Sequence, residues 1–463
     1  MGIDSDYLVV GAGATGLAFT DALVDAADVE VTVIDRRAAP GGHWVDVYPF
    51  VRLHSPSAFY GVNSLPLGED RVDQVGENRG FYERASGDEV REYFVNVSER
   101  LVKTGRVRVL TEHEHVAGGS DGDHQVRDLR TGKFLELGLR RKLVDARYLE
   151  ASIPATHTVP FEVAPAARVV AINDLPGAAR SASTYVVLGS GKTAVDACMW
   201  LLDNDVDPDR IRWIRPRDAW FHDRKHFQPL AQVGSIMEGL ALDAEAGAQA
   251  ANVDDLFDRL EASGRLARID PSQPATMYRG TMLSAGELEA LRRIENVVRL
   301  GRVRRVEPDR IMLERGEIET GANVLIVDCT ALGLNNAPAT PIFQPGRIVL
   351  QQVRYNSPPF NAALIGFVEA RRDDDVDRNR VCPPNPYASS PQDWPRMMRR
   401  TWMSEGRWLR EPDISAWVAR SRLNLLRDLP DHVTDPVVQP VVERFVTHVG
   451  GAIERLEELQ RAG

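Results

Sequence analysis

Tyr7-Leu8-Val9-Val10-Gly11-Ala12-Gly13-Ala14-Thr15-Gly16 is the stretch that decides the fold. A short apolar run ends in a glycine-rich turn, and apolar residues at helical spacing follow from Leu17 to Ala27. A second apolar run, Val29 to Ile34, ends at Asp35. Strand, turn, helix and strand make a βαβ unit, and Gly-x-Gly-x-x-Gly in that setting suits the pyrophosphate of a dinucleotide. Gly11 permits the tight turn, Gly13 lets the backbone approach phosphate, and Gly16 lets the helix lie close to the strand. The helix start supplies unpaired N–H groups. Gly11, Ala12, Gly13, Thr15 and Gly16 are therefore candidate cofactor contacts. Asp35 is placed to hold ribose hydroxyls, with Arg36 beside it.

The pattern returns after Tyr185-Val186-Val187-Leu188, as Gly189-Ser190-Gly191-Lys192-Thr193-Ala194. Gly191-Lys192-Thr193 invites a P-loop reading, but GxxxxGK[ST] needs glycine where Val186 stands, and the loop is too short to wrap a triphosphate. A second dinucleotide turn, with alanine at its third position, fits better. The next strand ends in Trp213-Ile214-Arg215-Pro216-Arg217, with no acid at the ribose position. Arginine can pair with a 2′-phosphate that an acid would repel, so Arg215 and Arg217 favour NADPH over NADH. Gly189, Ser190, Gly191, Lys192 and Thr193 complete the candidate NADPH site. A third apolar run, Val324 to Val327, leads into Asp328-Cys329-Thr330-Ala331-Leu332-Gly333. Segments 65–80 and 370–396 read as surface loops, and Val437 to Leu459 as an amphipathic helix.

The 463 residues allow about three domains' worth of chain. A net charge of −11 argues against a nucleic-acid or anionic-membrane surface. Cys198, Cys329 and Cys382 form no CxxC pair, which removes dithiol chemistry and zinc motifs. Sparse cysteine, no signal peptide and no apolar stretch near 18 residues predict a cytoplasmic protein. No metal site is expected; His222 and His226 lack a third ligand at helical spacing.

Pro40-Gly41-Gly42-His43-Trp44 resembles the GGxW loop, and Tyr48-Pro49-Phe50-Val51-Arg52 the YPxxR segment, of class B flavoprotein monooxygenases. These include the flavin-containing and Baeyer–Villiger monooxygenases. Ile214 to Trp220 is similar to their NADPH-site segment, and Asp328 to Gly333 to their DxxxxATG connection, with Ala331-Leu332-Gly333 in place of ATG. The resemblance spans most of residues 5–370. It implies two Rossmann-like α/β domains: a discontinuous FAD domain, 1–155 and 325–463, and an inserted NADPH domain, 156–324. It implies that NADPH reduces FAD and that a C4a-(hydro)peroxyflavin transfers oxygen from O₂ to a small organic substrate. Gly42, His43, Trp44, Leu332 and Gly333 become flavin-side candidates. The sequence departs from the family twice. Tyr148 to His157 keeps only the histidine of the F-x-G-x-x-x-H fingerprint, and His54-Ser55 stands where Asn or Asp is usual. His54, Ser55 and Arg52 are the candidate catalytic residues, each with a plain structural role as its rival. The alternatives are an NADPH-dependent FAD oxidoreductase without oxygen transfer and, more remotely, a P-loop nucleotide hydrolase.

Overall fold

A computed structural model of the chain describes residues 3–117, 124–148, 152–321, 323–333 and 337–462. Residues 149–151 of the altered fingerprint lie outside the described residues. Strand Ile3–Val10 lies at the middle of a parallel sheet. Val31–Ile34 and then Val107–Leu110 flank it on one side, Phe134–Asp145 and then Arg347–Val349 on the other. Val31–Ile34 is buried along its whole length, as expected of a sheet covered on both faces. Helix Ala14–Ala26 follows the first strand. Helix Pro358–Arg371 lies against it so closely that a Cβ on Gly366 would stand 2.5 Å from the Phe19 carbonyl oxygen. Phe360, Leu364 and Ile365 of that helix are fully buried, and each contributes roughly 1.5–3 kcal/mol of apolar burial. The chain returns to the first sheet late, which makes this domain discontinuous.

The second parallel sheet is centred on Thr184–Leu188. Ile211–Ile214 and Val297–Val298 follow on one side, Val324–Asp328 and Val169–Ala171 on the other. Val324–Asp328 pairs with Thr184–Leu188 over its full length. The expected division after residue 324 thus cuts this sheet, and the crossing back begins only after Asp328. A wholly apolar strand reads as central in some parallel sheet but does not say which one.

The two passages between the sheets run side by side. Ser152 and Gly333 exchange backbone hydrogen bonds of 2.9 and 3.1 Å. His157 Nε2 lies 2.6 Å from the Asp328 carboxylate, whose other oxygen accepts from the Thr330 amide and hydroxyl.

A third assembly carries the C-terminal segment. Strands Asp218–Asp223, Leu266–Arg268 and Ala275–Leu283 form a small sheet. Trp220, Phe257 and Tyr278 share a core with Trp394, Met397, Trp402 and Leu456. The final helix, Gln439–Ala462, therefore covers this assembly and not the first sheet as expected. The expected loop at 370–396 contains helix Asp375–Val381, started by Asp374, whose carboxylate accepts from the Asp377 amide. Cys198, Cys329 and Cys382 are buried and unbridged. No helix among the described residues is long and apolar enough to cross a membrane.

Candidate cofactor cavity

The first glycine turn is shaped by close approach. Gly11 has φ +115°, and a Cβ on Gly16 would stand 1.9 Å from the Gly11 carbonyl oxygen. Gly42, at φ +58°, lies over Gly13; a Cβ there would stand 2.9 Å from the Gly13 Cα. The Gly41 amide donates to the Ala12 carbonyl at 2.8 Å, which ties the GGxW-like loop to the turn. Asp35 accepts from the Ala12 amide at 2.8 Å and the Arg37 amide at 2.9 Å. It is buried and anchors the turn, and both oxygens keep lone pairs for a ribose. Arg36 is exposed at the rim. Thr15 donates to the Ala146 carbonyl at 3.4 Å.

Helix Ala14–Ala26 has no side-chain cap, whereas Gly87–Lys103 and Ala285–Arg292 carry full capping boxes from Ser86 and Ser284. An uncapped start leaves N–H groups for an anion. With Gly16 and Gly42 where a Cβ would collide and Gly11 in the left-handed region, these residues fit a dinucleotide pyrophosphate. Trp44 is buried, its indole donating to the Tyr60 hydroxyl at 2.7 Å, so it braces the loop from inside. Burial, then Arg37 beside it, lowers His43 to about 4 and keeps it neutral near pH 7.

The second turn faces open space. Gly189 has φ +126° and no room for a Cβ, which would meet the Cys329 carbonyl oxygen at 2.5 Å. Its own carbonyl accepts from the Trp213 indole at 2.7 Å. Gly191 has nothing within 4 Å of where a Cβ would be. Helix Lys192–Asp203 again lacks a side-chain cap. The Ser190 hydroxyl is buried without a partner. Lys192 pairs with Asp196, which also accepts from the Tyr48 hydroxyl at 2.5 Å. Tyr48 belongs to the loop after the first turn, so this chain of contacts links the two domains.

A cavity of about 650 Å³ opens from this turn. Gly189 to Thr193, His54, Arg217, Arg279, Arg302, Leu332 and Gly333 all contribute to its wall. Open space at Gly191, an unpartnered hydroxyl at Ser190 and three guanidiniums fit a phosphorylated dinucleotide. Among the described residues, none of Arg217, Arg279 and Arg302 has a carboxylate partner. Burial, then Arg302, lowers the pKa of Arg217; burial, then Arg217, lowers that of Arg279. Such mutual repulsion favours an anion between them. The Arg279 guanidinium donates to the Leu332 carbonyl.

Arg215 is placed differently from Arg217. It is 3% exposed, paired with Asp218 at 2.9 Å and stacked over Trp213. It does not line the cavity, so it supports the strand and the sequence expectation of a phosphate contact is corrected. Two residues apart at a strand end, one side chain enters the core and the other the cavity.

His54 does reach the cavity wall. Burial, then Lys192 and Arg224, lowers it to about 3, so it is neutral near pH 7. Its Nδ1 is buried without a partner. Ser55 and Arg52 do not line this cavity. Arg52 donates to the Arg84 carbonyl at 3.0 Å and faces a different, outer cleft. Leu332 and Gly333 border the second turn's cavity, away from the first turn. Sequence reading missed Arg279, Arg302 and Trp213 in these roles. Arg279 and Arg302 lie 85 or more residues beyond the turn they face, so no local spacing marks them.

Residues 9–58 match the NAD(P)-binding Rossmann-like domain family. The chain is 43% identical over 461 residues to uncharacterized proteins of Mycobacterium tuberculosis and Mycobacterium bovis, covering 99% of this chain and 84% of theirs. The polycyclic ketone monooxygenase of Thermothelomyces thermophila shares the fold with a TM-score of 0.53 and 11% identity, over 100% of this chain and 89% of that one.

Proposed function

The chain belongs to one family with these mycobacterial proteins, and we propose that it is an FAD- and NADPH-dependent monooxygenase acting on a small organic substrate. The observation that carries the reading is the single cavity in which an uncapped helix start, three unpaired arginines and a neutral histidine converge. The likeness of fold to a polycyclic ketone monooxygenase supports it. The chemistry that FAD supplies when bound is acceptance of hydride from NADPH and passage of the electrons to O₂.

The residues of this chain hold and orient. The first turn, with Asp35, would hold FAD by its pyrophosphate and ribose. Gly189 to Thr193 would hold the NADPH pyrophosphate, with Arg217 and Arg302 on its 2′-phosphate. His54, neutral, offers one ring N–H to an oxygen in the cavity and carries no charge to be desolvated. Arg279 supplies fixed positive charge on the same wall. Phe221, Met277 and Tyr387 exclude water from that end.

Purified holoprotein mixed anaerobically with NADPH should lose its flavin absorbance. With an organic substrate present, ¹⁸O₂ should then give one labelled product molecule for each NADPH consumed, the second oxygen atom leaving as water. Full conversion of the electrons to hydrogen peroxide, with no oxygenated product, would favour the oxidoreductase reading. That reading rests on His54-Ser55 standing where the resembled family has Asn or Asp. Turnover of ATP with no flavin spectrum would revive the P-loop reading.

A further inference from the structure

Lys192 borders two hollows. On the side away from the cofactor cavity lies a second cleft, of about 580 Å³. Its apolar wall is formed by Phe50 and Trp200, whose rings lie 5.4 Å apart and tilted by 31°. Asp73, Glu77 and Asp203 also line it, with Asn78.

The charges of this cleft do not balance among themselves. Two of its cations are engaged, Lys192 by Asp196 and Arg84 by Glu287 at 3.4 Å, while Arg52 donates to the neutral Arg84 carbonyl and keeps its charge against three further acids, Asp73, Glu77 and Asp203. Glu77 and Asp203 have no cationic partner among the described residues. Although both side chains are largely exposed, each is raised from its ordinary value, first by partial desolvation in the cleft and then by other carboxylates: Asp203 and Glu287 for Glu77, and Glu287 for Asp203. Independently of these acids, Asn78 in the same cleft is only 5% exposed and has an unmet acceptor. Its amide nitrogen donates to Asp73 at 2.7 Å and to the Tyr82 carbonyl at 3.1 Å, while its side-chain oxygen accepts nothing.

Unpaired carboxylates, a free carbonyl acceptor and two aromatic faces call for a hydrogen-bond donor that carries positive charge. A bare metal ion is the wrong cation: among the described residues no group of three His, Cys, Asp or Glu could hold one. We propose that this cleft binds an organic cation, an ammonium or guanidinium on an apolar stem, at a site separate from the cofactor cavity. The charged head meets Glu77, Asp203 and the Asn78 oxygen, and the stem lies on Trp200 and Phe50. This goes beyond the oxygenase reading and does not depend on it.

Calorimetric titration of the full-length protein with benzylammonium, benzyl alcohol and benzoate tests the site. Benzylammonium should bind at one saturable site, benzyl alcohol about tenfold more weakly or not at all, and benzoate not at all. Both carboxylates are exposed, so E77Q and D203N should keep the fold. Each should weaken benzylammonium by about fivefold, near the upper limit for an exposed ion pair, and the double variant by more than tenfold. W200L should weaken it by a few fold, about the worth of an exposed cation–π contact. Raising salt should weaken binding too. Equal affinity for the alcohol, or unchanged affinity in the double variant, would overturn the proposal. So would displacement of benzylammonium by NADP⁺, which would put the ligand in the cofactor cavity. Binding of a lysine-rich peptide with none of benzylammonium would equally reject it, in favour of a protein partner.

Discussion

The two glycine turns share a spacing and differ in what surrounds them. At the first, backbone meets backbone: Gly16 on Gly11, Gly42 on Gly13, Gly41 on Ala12. At the second, only Gly189 is crowded, by Cys329; Gly191 faces open space and Ser190 offers an unpartnered hydroxyl. One motif is held by close packing from its own turn, from the Gly41-Gly42 loop and from Ala146. The other presents a cavity whose charge comes largely from Arg217, Arg279 and Arg302, outside the turn. The shared Gly-x-Gly start thus meets close backbone packing in one domain and open space at Gly191 in the other.

The largest effect that would sharpen this contrast is at the first turn. G16A must displace the Gly11 carbonyl, so it should cost about 3 kcal/mol or more in urea unfolding and abolish flavin retention. G191A should stay within about 1 kcal/mol of wild type in the same measurement while weakening NADPH about tenfold. Similar stability losses for both would break the distinction.

Within the second domain, R215A should lose about 2 kcal/mol of stability, because Asp218 retains only Arg299. Its NADPH/NADH preference should not change. R217A/R302A should do the reverse, weakening NADPH by about 10- to 100-fold, as expected for charged hydrogen bonds to phosphate, with little effect on NADH. Steady-state KM values for both coenzymes decide between these outcomes.

The smallest effect is a slope. His54 falls from 6.5 in the unfolded chain to about 3 in the fold, so only the unfolded state takes a proton between those values. Its contribution to stability is complete above pH 6.5 and is lost as pH falls toward 3. His43, lowered to about 4, acts in the same direction. H54Q should make the acid limb of unfolding free energy shallower by up to about 1.4 kcal/mol per pH unit, the value of one proton. An unchanged limb would mean that His54 takes up its proton in the fold as readily as in the unfolded chain.

Much of this was legible because the first turn is local. Gly11 to Gly16, the run Val31–Ile34 and Asp35 lie within 25 residues, and strand and helix periods declare themselves over such windows. The second turn was legible for the same reason, and His54 followed from the segment after GGxW. Arg215 and Arg217 show where reading stops. Both follow one strand, and only Asp218, Trp213 and the cavity decide which is buried. Arg279 and Arg302 were out of reach, since nothing in the sequence around either marks the distant turn it faces. Helix Asp375–Val381 was hidden in a charged segment, although Asp374 is a good cap. The place of Val324–Asp328 needed the partner strand, not its own residues.

The paired passages between the sheets have a mechanical meaning. Two separate tethers would let the domains slide as well as turn. Here the tethers are stitched together by Ser152 with Gly333 and by His157 with Asp328, and so behave as one short axle. They act together with the Tyr48 and Asp196 contact, which joins the same two domains at another point. Leu332 and Gly333 sit on both the axle and the cavity wall. Any shift of the stitched passages would therefore be felt at the cavity wall, where the Leu332 carbonyl accepts from Arg279.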